Sequence, residues 1–449
     1  MTQKVWRKGR IILTVLCGIA MLTLVGLWGC GTIGYGNPSA SIVTTKTATA
    51  LIQAADLKQW TDAGLVNKAG GYDRVVIVEV STETNYNGAH IAGAQFVSLA
   101  NDLSESRYEG PMLTGQMVPS GTKTDALIQK LGIDANTTIV FTSSEAEVGS
   151  PWNLTRGYAT LRYWGFPKNR LKVLDGGNKA WKAAGYAMTS AIPTITKSSY
   201  CVTPDNVSRI RTDLRASLSD MIAAVSVGTA TSDFIDGRAT DPVVPGPTTD
   251  LIDGTKYVVF EGLVKGGRAY SFVNLIDATT KQFKSIADIK TGLNIPATAK
   301  SVYTICRAGN IASAVFFAVD GYAYYNEVET GAMKAVWYDG SWGQWGLMSS
   351  STANGGKLAA AGSVWDTSLL TDSLTYNVGK SIIPVTPATV PPTFTAATIA
   401  NIINYSTRLN NPEPSLAEGN QLENADAVYR SPVTTTTSGG GASVGGGGC

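Results

Sequence analysis

Apolar residues along this chain gather in short runs that alternate with amphipathic stretches, and the alternation occurs twice. In the first half, Val75–Val80 reads as a buried strand, Thr124–Leu131 as a helix and Thr138–Phe141 as a strand. Leu154–Trp164 then reads as a helix, Leu171–Leu174 as a strand and Asn178–Ala184 as a helix. In the second half the scheme returns as Asp233–Ile235, Ile286–Thr291, Ser301–Ile305, Ile311–Asp320, Ala335–Tyr338 and Gly343–Leu347. Strands alternating with helices predict parallel sheets, and strands buried on both faces read as unbroken apolar runs, as these do. The expected fold class is α/β, with two tandem domains, each a central parallel sheet flanked by helices.

The halves share a register. The β-rich run Thr137–Thr142 enters a polar loop, and Ser301–Cys306 has the same shape; Thr142 and Cys306 are 164 residues apart. Asp175 to Asp339 and Trp181 to Trp345 repeat that offset. Three landmarks in one register point to a tandem duplication. Between the halves, Ala191–Leu214 reads as a linker containing Pro193, Cys201 and Pro204.

Both ends depart from this pattern. Lys4, Arg7, Lys8 and Arg10 precede a stretch from Ile11 to Gly29 without a charged residue, the signature of an export signal over residues 1–29. The run Leu27-Trp28-Gly29-Cys30 resembles a bacterial lipobox, which implies acylation of Cys30; an uncleaved membrane anchor is the other reading of the same run. Residues 30–50 then read as a lipid-anchored tether. Gly31 after the cysteine resembles the enterobacterial sorting pattern for the outer membrane, so the expected location is the cell envelope, on the periplasmic or surface side. At the far end, residues 351–449 carry Pro384, Pro387, Pro391, Pro392, Pro412 and Pro414 and read as an extended tail. Within it, Ala396–Tyr405 reads as one short helix, and Ser438–Cys449 as a Gly-rich arm ending in a thiol.

Composition narrows the chemistry. A chain of 449 residues exceeds one ordinary domain, and 44% apolar against 16% charged residues permits a sizeable core. A formal charge of +2 excludes the basic field of a nucleic-acid binder. The single histidine, His90, excludes a multi-histidine metal site, and it excludes an ordinary Ser-His-Asp triad unless His90 serves it. Five cysteines are too few for a disulfide scaffold, and no C-x-x-C-H run is present to attach haem.

One cysteine is placed for chemistry. Cys306 ends a strand, and Arg307 through Asn310 curl before a helix that begins near Ile311, with Gly309 free to adopt positive φ. Amides of such a turn form an anion-binding nest at a helix N-terminus, a setting that favours thiolates. Arg307 adds fixed positive charge. The order strand, loop, helix puts the site at the C-terminal end of a parallel sheet, where α/β ligands usually bind.

Several stretches together resemble the rhodanese (sulfurtransferase) superfamily in its two-domain arrangement. They are Gly88-Ala89-His90-Ile91-Ala92-Gly93-Ala94, Leu174-Asp175-Gly176-Gly177 with Trp181, Asp236-Gly237-Arg238, Cys306-Arg307-Ala308-Gly309-Asn310-Ile311-Ala312, and Tyr338-Asp339-Gly340-Ser341-Trp342 with Trp345-Gly346. The resemblance covers about Ala55 to Ser350. It implies a rhodanese-like domain over 51–195 that is inactive, with Thr142 in the cysteine's place, and a second over 208–350 with Cys306 in its active loop. It implies covalent, ping-pong sulfur transfer, in which Cys306 takes sulfane sulfur from thiosulfate or a similar small anionic donor and passes it to a thiol or other nucleophile. Arg307, Ala308, Gly309, Asn310 and Ile311 would bind substrate, and Asp236, Arg238 and Asp339 would support the loop. No metal and no organic cofactor is needed. The six-residue loop is similar to sulfurtransferase loops rather than the longer phosphatase ones, and the arginine after cysteine resembles thiosulfate-type enzymes. Cys449, on an arm of about 20 Å root-mean-square span, is a candidate acceptor thiol. The alternative reading is a non-catalytic rhodanese-fold lipoprotein that scaffolds an outer-membrane electron-transfer or oxyanion conduit, with a β-barrel or multihaem cytochrome as partner.

Overall fold

Every residue of Val75–Val80 and of Thr138–Thr142 is buried, so both strands need cover on two faces. A computed structural model of the protein, which describes residues 45–69, 73–110, 112–202, 210–238, 263–349 and 419–430, shows how that cover is supplied. In the first half five parallel strands, β1 (Leu51–Ile52), β2 (Val75–Val80), β3 (Gln95–Val97), β4 (Thr138–Thr142) and β5 (Leu171–Leu174), lie in the order β1-β5-β4-β2-β3. In the second half β6 (Ser232–Asp236), β7 (Arg268–Ala269), β8 (Ser301–Ile305) and β9 (Lys334–Trp337) lie in the order β7-β6-β8-β9, again parallel. Where the first sheet has β1 at its edge, the second has a single parallel bridge from Arg215 to Trp337. The chain is thus α/β with two repeated sheets, each flanked by helices.

The halves meet helix to helix. Trp152–Tyr163 packs against Asn310–Phe317, and Phe316, Phe317, Tyr158 and Phe141 belong to one continuous core that spans both sheets. Burying each such ring contributes about 1.5–3 kcal/mol. After Phe317 the helix widens into a π-helical segment, Ala318–Ala323, in place of the regular continuation to Asp320 that the pattern predicts. Asp320 lies fully buried in that segment, accepting from Tyr158 Oη at 2.6 Å and from Arg162 Nε at 2.9 Å. The hydroxyls of Thr155 and Ser313 meet at 2.9 Å in the same seam.

An antiparallel hairpin, Glu105–Glu109 with Met112–Met117, leaves the first half and reaches the second. Glu109 at its tip is fully buried against Arg215, 2.8 Å away.

The tail requires a correction. Residues 351–449 read as extended, yet Gln421–Arg430 is a helix, docked across both halves. Asp426 accepts from Arg107 Nη2 at 2.6 Å and from Tyr163 Oη at 2.9 Å; Glu423 pairs with Arg215 Nη1 at 3.1 Å; Tyr429 donates to Asp125. The export signal, Cys30, the Ala396–Tyr405 segment and Cys449 lie outside the described residues. Among the described residues no helix is long and apolar enough to cross a membrane.

Candidate active site

Cys306 directly follows β8 and is buried, with 1% of its surface exposed. Gly309, four residues after the strand ends, caps the next helix at φ 80°, a left-handed conformation natural to glycine. A Cβ there would stand 2.7 Å from the Asp339 carbonyl oxygen, so the tight curl from Cys306 to Asn310 requires this glycine. Trp337 Nε1 donates to the Gly309 carbonyl at 2.9 Å and fixes the turn from below. The first-turn N–H groups of the Asn310–Phe317 helix, which have no partner within the helix, open onto the loop, and the helix dipole adds to their pull on an anion.

The neighbouring strand end completes the cradle. Ser341 sits at φ 50°, a strained position for a residue with a side chain. Its Oγ accepts from the Cys306 N–H at 3.1 Å, donates to the Tyr338 carbonyl at 2.7 Å and lies 3.8 Å from Cys306 Sγ. The single hydroxyl proton can therefore turn from the carbonyl to an anionic sulfur. Trp342 N–H and Gly343 N–H donate to the carbonyls of Cys306 and Arg307 at 2.9 and 2.8 Å, tying the loop to the Ser341–Ser349 helix.

The structure places the sequence-derived residues as follows. Arg307, Ala308 and Ile311 are half-buried around the loop, and Asn310 donates from Nδ2 to Gln116 Oε1 of the hairpin at 2.6 Å. Asp236 and Arg238 form a two-pronged buried pair at 2.9 and 2.8 Å, and Gly237 N–H between them holds the Ile305 carbonyl at 2.8 Å. Asp339 is buried; its Oδ2 accepts from Val118 N–H at 2.7 Å and its Oδ1 lies 2.9 Å from Arg215 Nε. His90 lies in the first half, stacked on Tyr86 and bonded through both ring nitrogens to the carbonyls of Tyr86 and Ala191. Cys306 is the free cysteine among the described residues, while Cys201 is disulfide-bonded.

Three groups escaped the sequence reading because only the tertiary fold brings them here. Arg156, from the first half, is fully buried beside the loop: Nε and Nη2 donate to the carbonyls of Leu103 and Gln116 at 3.2 and 2.6 Å, and the guanidinium lies over Trp337. Burial lowers its ionisation to about 10, against the attraction of Asp339 and Cys306, so it stays cationic at neutral pH. Gln116, at φ 58°, joins Arg156 to Asn310. Arg215 gathers Glu109, Asp339 and Glu423; burial, partly offset by that arginine, raises Glu109 to about 7 and Glu423 to about 8.

At the matching place in the first half, Thr142 donates to Asn178, which donates to the buried carboxylate of Glu79. The loop that follows runs through nine residues before its helix, against four in the second half. This closed, acidic network is no anion cradle.

The Rhodanese-like domain pattern matches residues 54–184, the cysteine-free half. The thiosulfate sulfurtransferase of Corynebacterium glutamicum is 24% identical over 273 residues, covering 59% of this chain and 79% of that protein. The chain is similar to rhodanese-family proteins. A Mycobacterium leprae protein, provisionally named for the same activity, is 24% identical over 286 residues, covering 61% of this chain and 89% of its own length. Among solved structures, EanB carrying a cysteine persulfide with ergothioneine superposes with a TM-score of 0.50 at 17% identity, over 69% of this chain and 71% of that one. That likeness concerns the rhodanese fold.

Proposed function

We propose that this rhodanese-family sulfurtransferase moves sulfane sulfur from thiosulfate, or a similar small anionic donor, to a thiol through a persulfide on Cys306. One observation carries the reading: a buried thiol at a strand end, curled into a helix N-terminus, with Ser341 Oγ touching both its N–H and its sulfur. The thiolate attacks the outer sulfur of thiosulfate, the sulfur–sulfur bond to the sulfite group breaks, and sulfite leaves with the electron pair. An acceptor thiolate then attacks the outer persulfide sulfur and restores Cys306. Helix-terminal amides and the Ser341 hydroxyl stabilise the anionic sulfur in both half-reactions. No step draws on the first half for a nucleophile, since Thr142 cannot hold a persulfide.

The N-terminal sequence supports work in the cell envelope on a lipid anchor at Cys30. Steady-state turnover with thiosulfate and a thiol tests the transfer. Parallel double-reciprocal lines that vanish in Cys306→Ser are expected; turnover that survives Cys306→Ser contradicts it.

A further inference from the structure

We propose that Arg156, on the cysteine-free half, is a positioning residue of the Cys306 site that supplies the fixed charge admitting an anion to the buried loop. The inference rests on the reading of Cys306 as the sulfur carrier. Arg156 is fully buried, two of its three nitrogens are held by the carbonyls of Leu103 and Gln116, and Nη1 has no hydrogen-bond partner. That nitrogen points at the loop: it lies 2.9 Å from where a Gly309 Cβ would stand. Stacking on Trp337, whose own indole N–H fixes the Gly309 carbonyl, leaves the guanidinium little freedom to turn away. A buried cation with an idle donor costs several kcal/mol unless something anionic comes to it.

The chemistry supplies that anion. Attack of a thiolate on thiosulfate brings three negative charges together, and three remain when persulfide and sulfite part. Arg307 on the loop itself and the helix dipole oppose them, and Arg156 is the cation that the other half contributes. The half without a nucleophile thus serves its sister's site from across the seam.

The charge can be read without sulfur chemistry. On the full chain, alkylation of Cys306 by anionic iodoacetate and by neutral iodoacetamide is followed by peptide mass spectrometry, and the ratio of the two rates is taken. The ratio cancels access and thiol ionisation, which both reagents share. Wild-type Cys306 is expected to favour iodoacetate more than a free cysteine peptide does. Arg156→Gln, which removes the charge and keeps an amide donor, is expected to lower the ratio about tenfold, and Arg156→Lys to restore most of it. Sulfur uptake from thiosulfate should slow about 100-fold in Arg156→Gln. A wild-type ratio no greater than that of the free peptide overturns the proposal without any variant. So does an unchanged ratio in Arg156→Gln, even where sulfur transfer proceeds. A wild type that takes no sulfur but whose ratio depends on Arg156 sinks the persulfide reading and leaves the role of Arg156 standing.

Discussion

Ser341 holds Cys306 from two sides, its Oγ 3.1 Å from the backbone nitrogen and 3.8 Å from Sγ, and does so at a φ of 50°. The same place in the first half is Gly177, at φ 53°, where no cysteine needs a hydroxyl. Strain and chemistry are therefore separable by substitution. Ser341→Gly should keep or raise the melting temperature, while Ser341→Ala should not gain stability, and both should slow sulfur transfer by about tenfold or more. Paired melts and turnover measurements check this; a Ser341→Gly chain as active as wild type would contradict it.

Gly309→Ala should fail on both counts. The new methyl group would meet the Asp339 carbonyl oxygen at 2.7 Å at a φ of 80°, so the loop must open. A loss of about 1–3 kcal/mol in denaturant unfolding, together with loss of transfer, is expected.

The seam between the halves is held by a buried ion pair, Arg162 with Asp320, whose side chains are 5% and 0% exposed. Asp320→Asn leaves Arg162 uncompensated and should cost about 3–5 kcal/mol. Urea titration followed by tryptophan fluorescence measures the loss. A variant as stable as wild type would show that the seam does not depend on this pair.

The docked tail helix should loosen as pH rises. Burial raises Glu423 to about 8 and Glu109 to about 7, so the folded chain holds protons that the unfolded chain releases above about 4.5. Their contribution is complete below the unfolded value and is lost as pH climbs through 7 and 8. The melting temperature should fall by a few degrees, about 1 kcal/mol or more, between pH 6 and 8.5. Glu423→Gln should flatten that slope, and an equal slope in the variant would assign the effect elsewhere.

Much of this fold is legible in the sequence because its strands are doubly buried. Leu171–Leu174, apolar but for the buried Lys172, and Ser301–Ile305 are strands with the bounds that the pattern predicts. The Gln421–Arg430 helix is illegible for the opposite reason. Its buried positions are Leu422, Glu423 and Asp426, with Tyr429 half-buried, so its docking face is mostly carboxylate and phenol and shows no apolar period. Arg156 is hidden differently. Its helix is buried on every side from Leu154 to Tyr163, so nothing local separates an arginine that supports a loop from one that packs. In the π-helical segment at Ala318–Ala323, a Cβ on Gly321 would meet Phe317 and Tyr158, a contact that no single stretch announces.

The most direct measurement is the mass of the Cys306 peptide after the full chain meets thiosulfate. One added sulfur atom on that peptide, removed by a thiol or by cyanide and absent in Cys306→Ser, is the predicted result. A Cys306 peptide that stays unmodified while the chain still turns thiosulfate over would contradict the persulfide route.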